Sequence, residues 1–306
     1  MYDKEGIPRH NKNRGSNISG GGARLIIESE ILDAYLRGES TETFSDHWIF
    51  QTVGRFLPQG QLAYTPPDES PEAREAIGRI SHEIKQAVDG FVPNNVGVWD
   101  ALFPAWEGIV GTTAVNMVVG LPDMCDALAL PDPAGATQVV YDLPNWLRYE
   151  GKHDISSVVG NLLTHELCHV CIGAIYESIN ADSESAGHIT RLDAITFNEG
   201  FAHLVSYDNT PIDRVDWESE TLMGVYKGSI GRLKLALEET DSSKQQEYLI
   251  DAVRGSYYSK YAGMAGMLFL AERWREGGIS ALADEFERGY DGFARRIVDC
   301  AKASVE

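Results

Sequence analysis

Positive charge is what this chain has least of. Its 26 lysines and arginines stand against 46 aspartates and glutamates, a formal charge of −20 over 306 residues. Such a surface repels phosphate backbones and anionic lipid headgroups, so neither nucleic acid nor membrane is an expected partner. Cysteine is scarce as well, with Cys125, Cys168, Cys171 and Cys300 irregularly placed. Cys168 and Cys171 make one CxxC, but no second accompanies it and the pair falls inside a helical pattern. Buried free thiols are therefore expected rather than redox or metal chemistry. The opening MYDKEGIPRHNKNRGSNISGGGARL lacks the apolar core of a signal peptide, and no later stretch is expected to reach bilayer-spanning length, which predicts a cytoplasmic protein. The SGGG run has no strand before it, which argues against a dinucleotide-binding loop.

What is present suffices for a sizeable core, since 43% of the residues are hydrophobic. Residues 1–22 read as a polar, mobile tail. Residues 23–108 read as a helical N-terminal region: apolar residues recur at helical spacing from Ala23 to Arg37, and a second helix covers Asp46 to Phe56, with Pro58 ending it. A third helix opens at SPEAREAIGRI, with Ser70 as cap and Pro71 in the first position. Beyond residue 108 the β-branched runs GTTAVNMVVGLP and GATQVVYDLP predict two strands. A helix is then predicted from Asp154 or Ser156 to about Ile179, another from Leu192 to Tyr207, and a mostly helical remainder from Trp217 to Ala303. Residues 109–306 form the expected catalytic region, and the class is α+β with helix predominant.

The segment LLTHELCHVCIG carries that expectation. His165 and His169, four apart on a helix, lie about 40° apart around the axis and about 6 Å along it, so both can face one ion. Glu166 is placed to take a proton from a water polarised there, and the pattern is HExxH. Residue frequencies give roughly 0.02 chance occurrences of that pattern in such a chain. A third ligand is offered by FNEGFAHL. An antiparallel helical hairpin would return Glu199 to the level of His169, and Gly200 beside it costs about 1 kcal/mol in a helix unless two backbones pack closely there.

HELCH followed by NEGFA resembles the glutamate-zincin metallopeptidases, and most nearly the poorly characterised bacterial zinc-dependent proteases of that class. The resemblance implies a zincin-like fold and a Zn2+ ion on His165, His169 and Glu199. It also implies Glu166 as general base and a peptide or protein as substrate. No GxMEN exopeptidase signature precedes the motif. A metzincin is excluded because Ile172 stands where that pattern has glycine. His203, one turn past Glu199, could be a fourth ligand, a partner that supports a ligand, or a donor to the transition state. Among Tyr257, Tyr258 and Tyr261, Tyr258 is the expected oxyanion donor. His188 is expected in an exposed loop, and Asp193 could orient a histidine ring or cap a helix. The strand QVVYDL, residues 138–143, is expected at the sheet edge, where an extended peptide could pair with it. Two other readings stay open: a zinc hydrolase of non-peptide amides or esters, and a non-catalytic metal-binding protein.

Overall fold

A computed structural model describes residues 25–57, 60–122, 126–179 and 186–303. The expected tail, Cys125 and most of the loop after residue 179 lie outside these residues.

The fold is α+β, with one four-stranded mixed sheet among many helices. Strand β1 (Ile26–Glu28) is followed by α1 (Glu30–Leu36), α2 (Trp48–Phe56), α3 (Pro71–Asp89), α4 (Val96–Leu102) and α5 (Trp106–Val110). Strands β2 (Ala114–Val118), β3 (Ala127–Pro131) and β4 (Thr137–Asp142) come next, then the short α6 (Leu143–Trp146). Helices α7 (Ile155–Ile175), α8 (His188–Ser206), α9 (Glu220–Glu238), α10 (Ser242–Val253), α11 (Tyr261–Glu287) and α12 (Phe293–Ala303) complete the chain.

Several local signals act as read. The Ser70 hydroxyl accepts from the Ala73 N–H at 3.2 Å with Pro71 in the first turn, and the Asp154 carboxylate accepts from the Ser157 N–H at 3.0 Å to start α7. Each satisfies a backbone donor that the helix itself leaves unpaired. Cys168 and Cys171 are buried free thiols on α7.

Four expectations need correction. The segment from Ala23 to Arg37 is not one helix, because Ile26 and Ile27 pair in parallel with Ala114 and Val115, and the helix begins only at Glu30. A strand at 127–131, ALALP, was not foreseen; its alanines and leucines carry little β-branched signal, and pairing with β4 decides its state. The sheet order is β1-β2-β4-β3, so β4 has β2 on one side and β3 on the other. Residues 138–143 therefore do not form a free edge, and strand addition there is ruled out. The remaining correction concerns length: α7 is long and apolar enough to cross a bilayer by those two measures alone, although half of its most apolar stretch is buried within the fold.

Helix α7 lies on β3 and β4 and packs against α8, which in turn packs on α11. Phe197 and Phe201 of α8 join Phe286 and Phe293 in an aromatic cluster, with ring centroids 4.8–5.7 Å apart. One face of α8 is thereby fixed to α11 and α12. The approach of α8 to α11 is backbone on backbone: a Cβ at Gly200 would lie 2.9 Å from Gly266 Cα, and one at Gly266 would lie 2.3 Å from the Thr196 carbonyl oxygen. The close packing expected at Gly200 thus exists, and its partner is α11. Gly266→Ala is expected to lower unfolding stability by about 1–3 kcal/mol, since neither backbone can give way. Gly231→Ala, on an exposed helical position with nothing near its Cβ, should instead raise stability by up to about 1 kcal/mol. Urea denaturation midpoints of the two variants check both signs.

Candidate metal centre

The α7–α8 pair brings together the side chains that their spacing selects. His165 Nε2 and His169 Nε2 are 3.1 Å apart. Glu199 on α8 places Oε2 3.8 Å from the first and Oε1 3.7 Å from the second. Donors about 2.0–2.1 Å from a tetrahedral ion are themselves about 3.4 Å apart, so these three separations suit one common ion.

The hydrogen bonds behind the rings decide which nitrogen is free. His169 Nδ1 lies 2.9 Å from Asn198 Oδ1, a carbonyl-type acceptor, so Nδ1 carries the proton. His165 Nδ1 lies 3.4 Å from Ser206 Oγ, and that hydroxyl already donates to the Ala202 carbonyl at 2.8 Å. The serine oxygen must therefore accept, and His165 too is protonated on Nδ1. Both Nε2 lone pairs consequently face each other and the Glu199 carboxylate. Lone pairs at that separation repel unless a cation lies between them. A proton is a poor filler: burial, then the neighbouring imidazoles of His203 and His169, hold His165 well below the usual imidazole range. Neutral imidazoles and an ionised carboxylate are the state that binds a metal ion. Burial would raise the Glu199 carboxyl, but the side chains of His203, His169 and His165 around it hold it well below the ordinary carboxylate range.

His203 is buried, with Nε2 3.3 Å from Glu199 Oε2. His165, Glu199 and His203 also form a compact donor group by themselves. His203 is thus placed either to support the Glu199 carboxylate or to add a donor. The site needs Gly263 on α11, where a Cβ would lie 2.9 Å from His203 Cδ2 and 3.1 Å from Glu199 Cβ.

Glu166 is buried beside the cluster and accepts from the backbone N–H of Ala129 on β3. Burial pushes its carboxyl up to about 7; His169 and Lys260 pull the other way, and the Glu199 carboxylate adds to the rise. A carboxyl poised near neutrality can both take and release a proton.

The remaining expected residues fall in different places. Tyr258 is exposed and its hydroxyl lies 3.0 Å from that of Tyr207 at the end of α8. Tyr257, not Tyr258, packs its ring against His203, with centroids 5.0 Å apart. Tyr261 is buried and donates to the Tyr248 carbonyl, a structural bond. His188 is not in an exposed loop: it opens α8 and its Nε2 donates to the Ala236 carbonyl at 2.8 Å. Asp193 orients no histidine; it accepts from the N–H groups of Gly292 and Ala294 and so caps α12. Asn198, Ser206, Ala129 and Lys260 were not foreseen. The Lys260 ammonium acts on His165, Glu166 and His203 alike. Its signal was its place, two residues after Tyr258 in GSYYSKYAG.

No protein-family model, no curated protein and no solved structure matches the chain at a significant level.

Proposed function

We infer that the chain is a zinc-dependent metallopeptidase with a zincin-like arrangement of sheet and active-site helix. The observation that carries this reading is the convergence of two Nε2 lone pairs and the Glu199 carboxylate, with both rings fixed in tautomer by Asn198 and Ser206. His165, His169 and Glu199 would hold the ion, and His203 would support Glu199. Bound zinc supplies a Lewis acid that polarises a carbonyl and acidifies water.

The chain's own residues do the rest. Glu166, held by Ala129, takes the proton of the attacking water and passes it to the leaving amine. Lys260 offsets negative charge that develops near the histidines. Of the three tyrosines, Tyr257 lies nearest the cluster by its contact with His203, so the oxyanion role expected of Tyr258 passes to it. Among the described residues, the sheet edge beside Glu166 belongs to β3, which ends the sheet order. An extended substrate that adds to the sheet does so there.

Turnover of a quenched fluorescent peptide library tests the proposal. Cleavage is expected, lost on chelation and restored by zinc. A chain that takes up no metal would sink it. Metal uptake with no peptide cleaved, but with esters or simple amides hydrolysed, would transfer the site to the non-peptide hydrolases.

A further inference from the structure

One loop joins the metal centre to a second feature. Between α10 and α11, residues 254–260 run Arg-Gly-Ser-Tyr-Tyr-Ser-Lys. Tyr257 leans on His203, while Tyr258, its ring 5.3 Å from that of Tyr257, forms part of the wall of an open cavity of about 470 Å³. The same wall includes Gly224, Gly228 and Arg232 of α9, Asp251 of α10, and Arg254. At Gly224 and Gly228 nothing lies within 4 Å of where a Cβ would be, so the backbone of α9 forms a bare floor.

The ionised residues of this wall are two arginines and one aspartate, on a chain whose total charge is −20. Arg232 is held in place by Asp251 at 2.8 Å and by the face of Tyr248, 4.3 Å from its guanidinium carbon. A guanidinium fixed in this way loses little freedom on accepting a carboxylate. Arg254 stands at the loop's other end from Lys260, so cations mark both the cavity and the metal centre. The two aromatic steps from His203 to Tyr257 and on to Tyr258, 5.0 and 5.3 Å, are spanned by up to about three residues of extended peptide.

We propose that this cavity is a specificity subsite that takes a carboxylate of the peptide substrate, bound by Arg254 and Arg232, a few residues from the scissile bond. The assignment rests on the peptidase reading of the adjacent cluster and names its substrate class, peptides with an acidic side chain or an acidic C-terminus at that distance.

Binding of short peptides to the zinc-loaded Glu166→Gln chain, followed by calorimetry, tests it. Three probes suffice: a peptide with glutamate at the third position from the cleavage site, its glutamine counterpart, and a glutamine peptide ending in a free carboxylate at the same distance. A carboxylate-bearing peptide is expected to bind on the order of tenfold more tightly than the uncharged one. Which of the two does so separates side chain from C-terminus. Arg254→Glu should abolish the preference. Gly228→Leu should also abolish it, by filling the cavity while keeping both arginines and a better helix former on α9. Equal affinity for all three probes, no binding of any, or a preference that survives both substitutions overturns the proposal. A preference that holds in a chain whose native form cleaves no peptide would fault the peptidase reading instead.

Discussion

Glu199→Ala is expected to strip the protein of its metal. The native chain, purified without chelator, should carry about one zinc, and the variant close to none. The reason is geometric: without Glu199 the proposed ligand set is reduced to His165 and His169, both on α7, with no carboxylate ligand to balance the charge of the ion. The loss should exceed the ~10–100-fold weakening typical when an outer partner of a ligand is removed. His203→Ala should fall within that smaller range, because its Nε2 faces Glu199 Oε2 at 3.3 Å. Asn198→Ala belongs with it, since it frees His169 to take the wrong tautomer. Competition with a chromophoric chelator ranks the three variants. A His203 variant weaker than the Glu199 variant would make His203 a ligand and Glu199 its support.

Glu166→Gln is expected to keep the zinc and lose about 10²–10⁴-fold in turnover. The amide oxygen can still accept from the Ala129 N–H, and the side chain keeps its size, so the surroundings need not move. What disappears is the carboxylate proposed to take the proton. The same substitution has a second readout in the metal-free protein. Burial lifts the Glu166 carboxyl from its ordinary 4.5 to about 7, so the folded state binds this proton more tightly than the unfolded chain does. Its contribution to stability is therefore full below the ordinary value and declines as pH rises to about 7. Glutamine does not titrate, so the metal-free variant should gain on the metal-free native chain across that window. Thermal melts at pH 4 and pH 8 give the comparison. Native-level turnover by the variant would remove Glu166 from the chemistry.

The sites of these two substitutions were legible in the sequence because their information is local. An i, i+4 pair of histidines must share a helical face, whatever surrounds it. The NEGFA segment offers a carboxylate on the next helix, and caps such as Ser70 and Asp154 act within one turn of themselves. Gly200 also declared itself, since a helix tolerates glycine at a cost that only a close neighbour explains.

Tertiary structure decided everything that depends on residues far apart in the chain. Ile26 and Ile27 continue a helical periodicity, yet parallel pairing with Ala114 and Val115 makes them a strand. The identity of the sheet edge passed from residues 138–143 to β3, because a strand's neighbours are set by which backbones meet and not by its own side chains. Which tyrosine meets the cluster was settled by the turn of one short loop, in favour of Tyr257 over Tyr258. The proton on each histidine was settled by Asn198 and Ser206, and the charge near the site by Lys260. Histidine spacing specifies a shared direction, whereas lone-pair orientation, local potential and the cavity beside the site arise only where separate elements pack together.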